Sequence, residues 1–329
     1  MDKLVNRSPL LYLYGTVKVR DICSSHIGST IIPERLIIVE ISHSYALGKF
    51  KKEIGQANHM LITILVGLDG VITSDFDIAP EFRASWNPKS KITSAERSKL
   101  YAKKTSLSWL VNCLEMYLKL IVREPSLIED CTLHEEYSND KNSRSVYNRI
   151  KLLCEYFEIS SIDYALVDLL ICWRNSIMHF DVKNVPTNSN RKRLTENANE
   201  IAKTHCGLDI VCTLNSFDKN QQPSFKEVTS FVRSSINLVY EIDRHLVQSL
   251  DTSRYTDRTI MNYLKERDDR FENIFSKDQA TILSKLRQIL KNNHFTDTSD
   301  ENDVDIVCNR ISKLNHSEAK ACYIANSFL

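Results

Sequence analysis

No part of this sequence is apolar for long enough to cross a bilayer. The longest apolar run, Met60–Leu68, falls far short of the roughly 20 residues that a spanning helix needs. The first residues, Met1-Asp2-Lys3, lead into no signal-peptide h-region, so the expectation is a cytoplasmic protein without a membrane partner. Charge of one sign is not in excess either. Lys and Arg total 43 against 42 Asp and Glu, for a net charge of +1, so no bulk field selects nucleic acid, and any site for it must be local. Nine cysteines are scattered and none forms a C-x-x-C pair. Neither a disulfide framework nor a cysteine zinc site is indicated, and most of the cysteines read as small buried side chains in a reducing compartment. P-loop, dinucleotide-fold, zincin and nucleophile-elbow motifs are all missing, which leaves those chemistries without support.

What is present is an ordinary globular composition, 42% hydrophobic and 26% charged over 329 residues, enough for two domains or one domain with an extension. Six of the seven glycines lie at or before Gly70, and four of the seven prolines at or before Pro88, so the composition changes near residue 90. Before that point, Leu10–Val19, Leu36–Ser42 and Met60–Val66 read as strands bounded by Pro, Gly and Ser. A polar helix over Tyr45–Asn58 would connect the last two, and a turn at Gly67–Gly70 would lead into a short strand at Val71–Thr73. The expectation for 1–90 is a small α/β module.

Beyond it the periodicity is helical. Thr93 and Glu96 suit a capping box opening a helix over Ala95–Arg123, stopped by Pro125. In it Leu107, Leu110, Val111, Leu114, Tyr117, Leu118 and Ile121 recur at three and four residue intervals, one apolar stripe. A polar break at Ser138–Ser143 precedes helices over Arg144–Phe157 and Ser161–Phe180. Pro186–Asn199 is polar and reads as a surface connection; its Arg191-Lys192-Arg193 triplet could also touch phosphate. From Phe225 on there is neither Gly nor Pro, and helices are expected near 225–250, 256–275, 279–291, 304–314 and 317–328. Asp75 and Asp77 faintly suggest a Mg²⁺-holding pair and the acidic stretch 297–303 a calcium loop. Neither has the flanking residues that its site requires.

The helix over 161–180 carries the chemistry. Ile162, Leu166, Leu169, Leu170, Trp173 and Ile177 form its apolar stripe, while Asp168, Cys172, Asn175 and His179 follow one another along a more polar face. Arg174 and His179, five residues apart, do not stack on an ideal helix, but can flank a shallow site at its end. Arg174-Asn175-Ser176-Ile177-Met178-His179 thus reads R-N-x-x-x-H at the close of a hydrophobic helix, and here the sequence resembles the HEPN superfamily (higher eukaryotes and prokaryotes nucleotide-binding). In that family the motif sits on a late helix of a small all-α bundle, and two copies face each other to form one metal-independent ribonuclease site.

The resemblance covers about Ala95–Leu250. It implies a mainly α fold, with a HEPN-like helical domain at 91–252 between the small N-terminal α/β module at 1–90 and a helical C-terminal extension at 253–329. It implies an endoribonuclease with Arg174, Asn175 and His179 as catalytic residues, no cofactor and no metal. RNA would be the substrate, a homodimer with a composite active site the working form, and an antitoxin or regulatory partner a further possibility. Such proteins resemble bacterial toxins and antiviral defence effectors.

The residue types suit that chemistry. Imidazole can move a proton at the RNA 2′-OH or the leaving oxygen, a guanidinium can hold the scissile phosphate, and the Asn amide can orient the imidazole. Attack by the 2′-OH would leave a 2′,3′-cyclic phosphate, a route closed to DNA. Three other readings stand beside this one: a non-catalytic module in which the same residues grip RNA, nucleotide or a protein, a scaffold whose helices only assemble other subunits, and a structural role in which Arg174 caps carbonyls and His179 complements the helix dipole.

Overall fold

The computed structural model describes residues 43–73, 88–179, 184–293 and 303–328. Among the described residues the chain is mainly helical, with no strand. In order come α1 (Tyr45–Thr73), α2 (Lys91–Leu120), α3 (Cys131–Ser138), α4 (Asp140–Ser143), α5 (Val146–Tyr156), α6 (Ile162–Met178), α7 (Asn188–Glu196), α8 (Ala198–Thr204) and α9 (Ile210–Asp218). The remaining helices are α10 (Phe225–Gln248), α11 (Thr252–Lys265), α12 (Asp269–Phe275), α13 (Gln279–Asn292), α14 (Asp303–Ser312) and α15 (His316–Ala325). No helix among the described residues is long and apolar enough to cross a membrane.

The long helices surround α6, which packs on α10, α2, α5 and α7. Its stripe residues Leu166, Leu169, Leu170 and Trp173 are fully buried, as is the whole α2 stripe from Leu107 to Ile121 named from the sequence. Ser161 caps α6 by accepting from the Tyr164 amide, and Ser224 and Glu227 close a reciprocal capping box on α10, so side-chain oxygens satisfy amides that the first turn leaves free.

Several sequence expectations are corrected. Met60–Val66 and Val71–Thr73 are not strands, and Gly67–Gly70 is not a turn: all continue α1. A short aliphatic run does not by itself distinguish strand from helix. Leu47, Phe50, Ile54 and Leu61, three, four and seven residues apart and buried on one face, extend the helical register through it. The four glycines of α1, Gly48, Gly55, Gly67 and Gly70, cost about 1 kcal/mol each relative to alanine, less than burial of four large apolar side chains returns. The other expected strands, Leu10–Val19 and Leu36–Ser42, lie outside the described residues, as do Asp75, Asp77 and 297–302. All described residues fall within one compact unit, Ile38–Leu329. Within it α1 lies along α2, so the helical body takes in residues that the sequence assigned to a separate module at 1–90. The C-terminal helices are tied in as well, through the Asp251 amide on Glu129 and Arg258 on Glu124.

Boundaries also move. Ser90, not Thr93, caps α2, accepting from the Thr93 amide at 3.3 Å, while Glu96 pairs with Lys99 instead. The polar connection at 186–199 contains α7: Thr187 caps it, Leu194 is fully buried and so is the amide of Asn190, so a polar residue occupies an inward position that an apolar pattern would have marked. The single helix expected over 256–275 is two, α11 and α12, with Arg270 bonded back to the Tyr263 carbonyl across the break.

The start of α1 is fixed on α10 by a buried carboxylate. Asp243 accepts from the Ser44 amide at 3.0 Å, from the Ser44 hydroxyl and from the Tyr117 hydroxyl at 3.3 Å. Burial pushes the Asp243 carboxyl above the usual aspartate range, and these hydrogen bonds together with Lys51 offset only part of that. The native state therefore holds this proton at higher pH than the unfolded chain. The stabilisation due to Asp243 is full below the unfolded value of about 4 and declines as the pH rises through the raised native one. Asp243→Ala is expected to lose about 3 kcal/mol, the cost of stranding buried donors. Guanidinium melts at several pH values check this: the gap between wild type and variant should be widest at the acid end and narrow as the pH rises.

Candidate active site

The end of α6 is held from inside. The Trp173 ring packs edge-on against Phe217 and Phe231, with centroids 5.8 and 6.1 Å away, and its indole N–H donates to the Gln221 carbonyl at 3.2 Å. The next turn therefore rests on a fixed aromatic base. Arg174, Asn175, Ser176 and Ile177 are half-buried, and Met178 and His179 are exposed.

The structure brings together all three residues singled out from the sequence. Arg174 Nη1 donates to Asn175 Oδ1 at 2.9 Å and lies 3.4 Å from His179 Nε2. The five-residue offset that would separate Arg174 and His179 on a continuing helix is overcome because the helix stops. His179 is the C-cap, with extended φ −120° and ψ 120° and its amide still bonded to the Asn175 carbonyl at 3.0 Å. The turn of the backbone swings the imidazole back over the guanidinium. Since guanidinium only donates, Nε2 accepts in this contact, and a neutral ring carries its proton on Nδ1.

Of its five N–H donors, Arg174 spends one nitrogen on Asn175 and His179, and the buried Nε has no hydrogen-bond partner among the described residues. Among the described residues, none of its hydrogen bonds goes to a helix carbonyl, which is what a capping role would require.

The rest of the polar face is structural. Asp168 is buried and accepts from the Thr187 amide at 3.0 Å and the Asn190 side-chain amide at 2.8 Å, tying the start of α7 to the middle of α6. Sequence reasoning placed Asp168 on the right face but missed these partners, because they lie in a segment read as loop. Burial, with Asp168 alongside, pushes the Cys172 thiol far above its usual range, so it stays protonated and is no nucleophile. Burial also pushes the Tyr147 hydroxyl up to about 12, with Asp168 adding to it.

The basic triplet is engaged within the protein. Arg191 pairs with Asp218, Lys192 lies 3.7 Å from Glu196, and Arg193 bonds Asn190 Oδ1 at 2.9 Å and the Ser160 hydroxyl. A cleft of about 780 Å³ lies elsewhere, lined by Arg254, Asp257, Arg258, Lys265 and Asn326 among others, and none of the three candidate residues lines it. The candidate residues lie instead at the end of α6, where Met178 and His179 are exposed. Comparison of the chain with protein-family models, with curated proteins and with solved structures gives no significant match.

Proposed function

We propose that this chain is a metal-independent endoribonuclease of HEPN type, working as a dimer in which each copy supplies Arg174, Asn175 and His179. The observation that carries this reading is the joint placement of a half-buried guanidinium and an exposed imidazole, 3.4 Å apart, at a helix end anchored by Trp173. An unsatisfied buried donor on the cation is a polar imperfection of the kind that calls for a functional account.

At 3.4 Å the contact between Arg174 and His179 is at the long limit of a hydrogen bond, and an arriving phosphate competes for it. The guanidinium turns its fork to the phosphate oxygens, which releases the Nε2 lone pair. Nε2 then takes the proton of the ribose 2′-OH while O2′ attacks phosphorus. The P–O5′ bond breaks, and the departing O5′ receives a proton from an imidazolium, for which the second copy's histidine is available. The products are a 2′,3′-cyclic phosphate and a 5′-OH. Asn175 keeps the guanidinium in place through its 2.9 Å bond. Toxicity or antiviral defence is the role that suits such an enzyme.

Labelled tRNA and mRNA incubated in excess EDTA test this. Wild type is expected to give fragments with cyclic phosphate ends, and His179→Ala, at an exposed position and folded by circular dichroism, to cut at least 10²-fold more slowly. Equal cutting by both proteins would assign the chemistry to another residue. Binding of RNA without cutting by either would favour a non-catalytic RNA-binding module.

A further inference from the structure

We propose that one side of the hairpin formed by α1 and α2 is the docking surface for a second copy of this chain. That these paired copies present two Arg174–His179 ends to one RNA rests on the function proposed above; the docking surface itself does not.

At about 100° per residue, Met60, Ile64, Gly67 and Val71 fall within about 60° of one another on α1. They lie roughly a quarter-turn from the buried face of Phe50, Ile54 and Leu61. Met60 is 57% exposed and Ile64 49%, and a side chain at Gly67 would meet nothing within 4 Å. On α2 a second uncharged row, Ser98, Tyr101, Thr105 and Trp109, spans about 80° by the same reckoning, with Tyr101 72% and Trp109 46% exposed. The ion pair of Asp69 with Lys99, at 2.6 Å, marks one edge of the hairpin, and both rows turn away from it. It also sets the register: with the helices antiparallel, Met60 comes level with Trp109 and Gly67 level with Tyr101. The two rows therefore make one strip.

Where 26% of the chain is charged, no residue of either row is. Met, Tyr and Trp without charge are the composition of a protein interface core, whereas an RNA surface needs cations to meet phosphate. A second copy fits best because an uncharged strip can meet itself across a two-fold axis without burying any charge. At roughly 200 Å² per large side chain, the four exposed residues leave on the order of 450 Å² per copy. Two copies, with the small residues between, reach about 1,000 Å², the size at which an interface becomes specific.

The strip lies at the right end of the molecule. Ser44 meets Asp243 and Lys51 covers the Tyr240 ring, so α1 runs toward the N-terminus of α10. Asp163 meets Asn237 and Trp173 packs on Phe231, so α6 runs the same way. From Lys51 to Thr73 α1 extends about 33 Å, and from Tyr240 back to Phe225 α10 extends about 22 Å. The hairpin thus projects about 10 Å past α10, at the end where α6 delivers Arg174 and His179.

Sedimentation equilibrium on the full chain tests the docking. Wild type is expected at twice 38.0 kDa, and Ile64→Glu and Tyr101→Glu, folded by circular dichroism, at the mass of one chain. Val66→Glu, on α1 but off the strip, should remain dimeric. Dilution of wild type should also red-shift tryptophan emission as Trp109 meets water, and Trp109→Phe should abolish that shift. A wild-type mass of one chain, or dimers retained in both strip variants, overturns the proposal. So does dilution without a spectral change. A dimer that cuts no RNA would leave the docking surface standing and remove the nuclease. Cutting by a monomer would remove the docking surface and the two-copy form of the site, and leave the ribonuclease activity.

Discussion

Arg174→Lys is expected to cut RNA no faster than Arg174→Ala, both at least 10²-fold below wild type. Lysine keeps the charge, so a site that needed only a cation near the phosphate would survive the exchange. The geometry asks for more. In the resting protein one nitrogen of Arg174 serves Asn175 and His179 together, and in the proposed transition state the guanidinium must hold Asn175 while offering a second nitrogen to phosphate. A planar fork can do both at once. An ammonium is a point charge on a flexible stem and cannot. Losing a positioned donor to developing charge typically costs 10² to 10³ in kcat, and the lysine variant loses the positioning along with it. Single-turnover cleavage with saturating enzyme is the measurement, because it separates the chemical step from weakened RNA binding. Lysine activity within tenfold of arginine would mean that the cation contributes charge alone.

Trp173→Ala is expected to cost about 3–5 kcal/mol of unfolding free energy, the range for emptying a fully buried aromatic site. The side chain is completely buried against Phe217 and Phe231, and its removal also strands the Gln221 carbonyl. Denaturant midpoints of the two proteins measure the loss. Cleavage should fall too under conditions where the variant is still folded, because Arg174 adjoins the cavity and the placement of the guanidinium depends on that turn of α6. Trp173→Phe, which refills most of the volume and omits the indole N–H, should recover most of the stability. A variant that lost the stability but kept full activity would show that the last turn of α6 holds its shape without the aromatic base.

The site was more legible in the sequence than the fold around it. The spacing of Arg174, Asn175 and His179 could be read directly, because the apolar stripe from Leu166 to Trp173 marks the helix and Ser161 its start. What spacing could not show was the departure of His179 from helical geometry, which closes the distance between imidazole and guanidinium. Long, strongly amphipathic elements such as α2, α6 and α10 emerged nearly intact. The failures share a cause. Met60–Val66 has the aliphatic content of a strand, and only packing along α2 decides for a helix. At α7 one of the two inward residues is Asn190, whose buried partner Asp168 lies 22 residues earlier. Local composition carries no record of a partner that distant, so polar residues used for burial read as surface.

The union of Ser44 with Asp243 spans 199 residues, and that distance has a meaning in time. At a synthesis rate of about 5–20 residues per second, α10 follows the start of α1 by roughly 10–40 s. During that interval the Asp243 partner of Ser44 does not yet exist, and among the described residues α2 is the helix along which α1 lies. A helical hairpin forms orders of magnitude faster than α10 can arrive. The pairing of α1 with α2 is therefore an early event on the ribosome, and the closure of Ser44 on Asp243 a later one. The first helix of the described chain thus has its own N-terminus secured only after nine later helices, α2 to α10, have been made.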